Sequence, residues 1–261
     1  MTQTGSDQSG TGSGHVSMSR RAGIRSIVVT IGWGWVFLFI LIGVFGAGFH
    51  IVDQFNLVAD RPAVAVLLRR YIYGDEFFNH WLDFRNYPVP RMVHMVLGVI
   101  FVLIGPSQLV PGVRRAFPRL HRAIGWTCLL LSIPLIITGW LFAFKFTYTG
   151  LPEQVPTVTF TLIYVWLVYM ALKNIRQGNV IKHREWMIRA FAMMMGISAT
   201  RLWFYIFLKA SDVPSTRFFS SIFWLGLGVN LLIAEIWVNL TRDRPTVSES
   251  NGATCKTPLT A

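Results

Sequence analysis

The sequence predicts an all-α, polytopic membrane bundle with six spanning helices, and three observations carry that prediction. The chain is 53% hydrophobic and only 14% charged, a membrane composition rather than that of a soluble core. Its apolar residues gather in long runs that are almost free of Asp, Glu, Lys and Arg, on the scale of the ~20 residues a helix needs to cross a bilayer. Trp33, Trp35, Trp81, Trp126, Trp140, Trp186 and Trp237 fall mostly near run ends, where amphipathic rings sit at a membrane interface.

The elements follow in order. Residues 1–19 are Gly, Ser, Thr and Gln with little apolar content; such a segment cannot bury a core and is expected to be a disordered tail. Arg20, Arg21 and Arg25 precede the first span, about 27–49. That run is far longer than a signal-peptide core, so it reads as an uncleaved helix. The membrane domain occupies 20–240 and includes an outer loop, 53–91, with an amphipathic surface helix expected near 62–72. The second span, about 92–110, ends in Gly105-Pro106 and Pro111. The proline frees a backbone carbonyl that Ser107 or Gln108 can satisfy. The third span, 123–144, is interrupted by Pro134. The fourth is 155–172, the fifth 186–208 and the sixth 218–240. Residues 241–261 are polar and read as a second disordered tail.

The net charge is +12. Lys and Arg cluster in the two short loops around 113–122 and 173–184 and beside both ends of the chain. The positive-inside rule then places both termini of this multi-pass protein in the cytoplasm, with the lipid bilayer as its partner. No basic stripe sits on a soluble domain, so nucleic acid is excluded as a partner. Cys128 and Cys255 form no Cys-x-x-Cys and no disulfide framework.

Histidines supply the first candidate chemistry. His121 and His183 share one membrane level, at the inner ends of the third and fifth spans; His50 and His94 share the outer level. Level-matched imidazoles on neighbouring helices are what axial ligation of haem b requires. His121 and His183 would be metal ligands only if that metal is haem iron. Arg122 and Arg184 are placed to meet propionates. Plain hydrogen bonding of histidines at an interface accounts for the same pattern. His183 and Arg201 lie about five helical turns apart and share a face.

Polar groups inside the spans supply the second. Arg201 and Glu235 are costly at such depths and such groups are often functional. Their levels differ too much for a direct pair. Depth matching instead sets Glu235 beside Arg189, as an ion pair locking the fifth helix to the sixth. It sets Arg201 near Asn230, as an outer anchor to the sixth helix, or leaves it to reach water by snorkelling outward. Gln108 reads as a structural amide at the kink. No Asp-rich pair and no nucleophile motif names a reaction, which leaves enzymatic activity open.

The segments RMVHMVLG, IGPSQLVPG, PRLHRAIGW, HREWMIRAFAMMMGISATRLW and VNLLIAEIW together resemble a family of predicted bacterial integral membrane proteins, domain of unknown function 2306, over roughly residues 90–240. The resemblance picks out His94, Gln108, Arg119, His121, Arg122, His183, Arg184, Trp186, Met187, Arg189, Arg201, Asn230 and Glu235, and it implies an architecture without an activity. The bundle is more loosely similar to membrane b-type cytochromes, which implies a haem between the third and fifth helices. The fourth helix has no histidine, so His94 lacks a ligand partner unless His50 substitutes. The readings that follow are a haem b redox or redox-accessory protein with a membrane redox partner, a proton-coupled transporter using Glu235, Arg201 and Asn230, or a cofactor-free assembly factor.

Overall fold

The computed structural model describes residues 12–54, 67, 70–72, 74–77, 80 and 87–242, with side chains of the first helix described from 26 to 48 and at Ile51. Six helices are long and apolar enough to cross a membrane. They are α1 (Gly12–Gln54), α2 (Pro88–Ile104), α3 (Pro118–Lys145), α4 (Leu151–Arg176), α5 (Val180–Ala210) and α6 (Ser215–Thr241). No strand occurs among the described residues. Most of the interior of the expected 53–91 outer loop and both chain ends, 1–11 and 243–261, lie outside the described residues, as does most of the expected 62–72 surface helix.

Helix ends differ from those read off the apolar runs, because polar turns continue a helix once its span has formed. α1 starts at Gly12, inside the segment expected to lack structure. α3 starts at Pro118, a residue suited to the first helical turn because its missing N–H has no partner there anyway. α5 starts at Val180, where the Asn179 side chain accepts from the Lys182 amide at 3.0 Å. His121 and His183 therefore sit on helices rather than in loops.

Proline sets the bends. After Ile104 the chain tightens into a 3₁₀ turn, Gly105–Leu109, and Pro111 opens a short helix to Ala116. The Ser107 hydroxyl donates to the Ile104 carbonyl at 2.6 Å. Gln108 takes no part in this: its Oε1 lies against Gly125 of α3, and its Nε2 is buried without a partner. In α3, the Thr138 hydroxyl donates to the Pro134 carbonyl at 2.7 Å.

α5 is central. It packs on α4, α6 and α1, while α2 packs on α1 and α3. α5 and α6 approach closely through glycine. A Cβ on Gly226 would lie 3.0 Å from the Thr200 backbone nitrogen, and one on Gly196 would lie 2.3 Å from Leu227 Cδ2. Small residues let membrane helices touch backbone to backbone, where hydrophobic burial supplies little drive. Asn230 ties three helices: it donates to the Ala192 carbonyl at 3.2 Å and accepts from Trp35 Nε1 at 3.1 Å. Apolar side chains cover the outside as well. Leu130, Ile137 and Leu162 are each at least 60% exposed, which in a bundle of this composition marks a lipid-facing surface.

The two faces differ. One carries the 111–117 and 177–179 connections and is rich in Arg and Lys; it is the basic face. The opposite face carries the 146–150 and 211–214 connections and residues 74–77 and 80. There Gly150, at φ 76°, makes a turn that glycine suits. Glu153 closes the turn, Oε2 accepting from the amides of Tyr148 (2.8 Å) and Thr149 (3.2 Å) and from the Thr147 hydroxyl.

Candidate functional site

The half of the bundle toward the opposite face holds a cavity of about 380 Å³, inside the ~300–1,000 Å³ range of small-molecule pockets. All six helices contribute to its lining. Most of the wall is apolar: Phe101, Leu135, Phe160, Met194, Ile197 and Phe223. Its polar lining at spanning depth includes Thr161, Tyr164, Ser198 and Thr200, and the two basic side chains there are His94 from α2 and Arg201 from α5. Trp140 of α3 also lines it, yet is 38% exposed on the bundle surface and donates to Thr161 of α4 at 3.1 Å. Between α3 and α4 the cavity wall therefore includes a partly exposed side chain.

The state of His94 follows from its partner. Its Nδ1 lies 2.8 Å from Thr138 Oγ1. Thr138 has one hydroxyl proton, and the carbonyls of Pro134 and Leu135 take it at 2.7 and 3.2 Å. The threonine oxygen therefore accepts from His94, whose Nδ1 carries the proton. In the neutral ring the lone pair is then on Nε2. Phe142 meets the ring edge-on at 5.0 Å.

Arg201 does not reach α6. Its guanidinium turns toward α1 and α2. Nη1 would lie 3.1 Å from a Cβ on Gly46, and Nη2 is 4.0 Å from Met95 Sδ. A thioether is a weak acceptor. Among the described residues no carboxylate lies within 4 Å of Arg201, the ion pairs there being Arg70–Asp75, Arg189–Glu235 and Arg242–Glu185. The expected anchor to α6 is thus corrected. Depth was read properly, but the rotation of α5 about its axis points Arg201 away, and Asn230 is committed to Trp35 and Ala192.

The rim on the opposite face is polar and aromatic. Phe77 packs against Tyr148, Phe204 and Phe219 at centroid distances of 5.2, 5.0 and 5.4 Å. Tyr148 donates to Ser215 Oγ (2.7 Å), whose own proton goes to Glu76 Oε2 (2.8 Å). Burial pushes the Tyr148 hydroxyl above the ordinary tyrosine range, so it stays a donor at neutral pH. His80 Nε2 lies 2.9 Å from the Phe146 carbonyl.

The basic face gathers the other predicted residues. Arg189 donates twice to Glu235, the Nη2 bond at 2.9 Å, with Trp186 4.9 Å from the guanidinium. This is the α5–α6 pair that depth matching expects. Arg242 holds Glu185 in the same two-fold way, and Arg184 donates to Thr241 at 3.0 Å. Arg122 is exposed. His183 Nδ1 donates to the Ala171 carbonyl at 2.9 Å. His121 and His183 are close enough to interact electrostatically, and His121 Nδ1 is buried without a partner. The His50 side chain lies outside the described residues. Among the described residues no three His, Cys, Asp or Glu side chains converge, so a metal here would rest on a histidine pair.

Residues 91–238 match the family model described as "Predicted membrane protein (DUF2306)". The chain belongs to that family. No curated protein and no solved structure matches it. The matched region of this DUF2306 protein includes most of the cavity wall, with both His94 and Arg201. Sequence reading singled out those two residues but not Thr138, Tyr148 or Glu153. A hydroxyl four residues after Pro134 was the one available signal for Thr138.

Proposed function

We propose that this protein binds a lipid-soluble small molecule inside the membrane, in the cavity around His94 and Arg201. One observation carries the reading: a largely apolar chamber receives two basic side chains that the rest of the protein leaves under-used. Such a pairing of apolar wall and few convergent polar groups is how ligand pockets combine affinity with orientation. The partly exposed Trp140 in the wall between α3 and α4 supports access from the bilayer. Positive-inside bias supports a bacterial inner-membrane placement with the basic face cytoplasmic, which sets the cavity toward the outer leaflet.

Gly98 offers the test. It lines the cavity, and a Cβ there would meet only Leu135 Cδ2, at 3.8 Å. Gly98→Leu is expected to fill the chamber while leaving the helices in place. Native mass spectrometry and solvent extraction of protein purified from membranes should show a co-purifying amphiphile in wild type and at least a several-fold loss in the variant. Equal amounts in both, at equal thermal stability, would overturn the reading.

A second reading has its own observation at the basic face. The unpartnered His121 Nδ1, and the His183 ring held by a backbone carbonyl, fit the donor chemistry of an axial pair, because ligating histidines commonly donate their other N–H to such a carbonyl. Haem b bound there would supply one-electron chemistry toward a membrane redox partner. His121 and His183 would hold it, and the exposed Arg122 would be the cation free to meet a propionate. Wild type expressed with adequate haem is expected to show a Soret band that His121→Ala abolishes; an unchanged band would sink this reading.

A further inference from the structure

Arg201 narrows the class of molecule the cavity takes. We propose that the ligand is a single-chain amphiphile with one negative charge, a carboxylate of the long-chain fatty-acid type, whose head pairs with Arg201. This rests on the cavity reading above and adds the chemistry of the head group.

The argument is one of charge balance. A guanidinium keeps its proton in proteins, so Arg201 is a fixed cation at membrane depth, where an uncompensated charge is costly. Its acceptor among the described residues is the Met95 thioether at 4.0 Å. A neutral ligand would leave the cost standing. A carboxylate removes it and matches the planar fork with two parallel hydrogen bonds. Among the cavity-lining residues Arg201 is the one Arg or Lys, so a single negative charge balances it, whereas a dianionic phosphate would over-fill it. Glu153 also lines the cavity, but it sits at the 147–149 turn, where its Oε2 accepts from three donors, and it forms no ion pair with Arg201. His80 is held at the rim by the Phe146 carbonyl. The chamber's ~380 Å³ lies at the small end of ligand pockets and suits one chain better than a two-chain lipid. Gly98 and Gly139, with nothing nearer their Cβ positions than 3.8 and 3.9 Å, leave room for that chain beside His94.

The experiment uses the full chain in nanodiscs of phosphatidylcholine, whose head carries no net charge. Tritiated hexadecanoate is the probe, and unlabelled hexadecanoate and hexadecanol compete for it. Hexadecanoate is expected to bind, hexadecanol to compete at least about tenfold more weakly, and Arg201→Gln to lose about tenfold in affinity, the scale of one charge-assisted contact. Arg201→Lys should retain part of the affinity. If hexadecanol competes equally in wild type, the charge assignment falls while the cavity reading stands, a result that needs no variant to fold. If hexadecanoate binding is unaffected by Gly98→Leu, the probe is not in the cavity and both fall. Absence of binding by either molecule overturns the proposal outright.

Discussion

Gly226→Leu is expected to abolish folded protein. The Cβ alone would lie 2.9 Å from Thr200 Cγ2 and 3.0 and 3.2 Å from the backbone nitrogen and Cα of that residue. Backbone inside a helix cannot step aside, so α5 and α6 must separate. That separation strains the Asn230 bonds to Trp35 and Ala192 and the Arg189–Glu235 pair together. Overpacking of an ordinary core costs about 1–3 kcal/mol; here one side chain forces apart the most extensive helix pair in the bundle, and the cost exceeds that range. Gly228 is the control. Two residues away on the same helix, it has nothing within 4 Å of its Cβ position, and Gly228→Leu should be tolerated. Size-exclusion profiles and thermal melting of detergent-purified protein separate the two. Equal behaviour would mean that the close approach of α5 and α6 is not a folding requirement.

Glu235→Leu is expected to be the next most damaging change. It leaves the Arg189 guanidinium without its two-fold acceptor, while the Arg189 side chain is only 12% exposed. Breaking a fully buried pair costs about 3–5 kcal/mol. Glu235 is 40% exposed, and the Trp186 ring still faces the cation, so about 2 kcal/mol is expected. The informative companion is the double variant Arg189→Met with Glu235→Leu. Removing both charges together removes the uncompensated cation, and stability should return most of the way to wild type. A double variant no more stable than Glu235→Leu alone would show that the pair supplies more than mutual neutralisation.

The contrast between Arg189 and Arg201 shows what the sequence makes legible. Both lie on α5, and counting residues from the apolar boundary gives the depth of each, because helical rise is fixed. Depth sufficed for Arg189, since Glu235 lies at the same level on the neighbouring helix. It did not suffice for Arg201, because the azimuth of a helix is set by how its neighbours pack and no residue count supplies it. Gly105-Pro106 was legible for a local reason: proline removes a donor wherever it stands. The choice of Ser107 over Gln108 to satisfy the bend was not, since it depends on Gln108 finding Gly125 on α3. The cavity left least trace. It is made of ordinary Phe, Leu, Ile and Met, and its emptiness belongs to no single side chain.

The exposure of Trp140 changes what affinity means for such a site. A molecule that arrives from the acyl region never presents itself as an aqueous solute; the relevant variable is its mole fraction among the surrounding lipids. Partitioning concentrates it before any protein contact, so modest intrinsic binding fills the chamber. Added empty vesicles would dilute it in two dimensions and lower occupancy with no change in bulk concentration. On the proposed reading, lipid-to-protein ratio takes the place that ligand concentration holds for a pocket open to water.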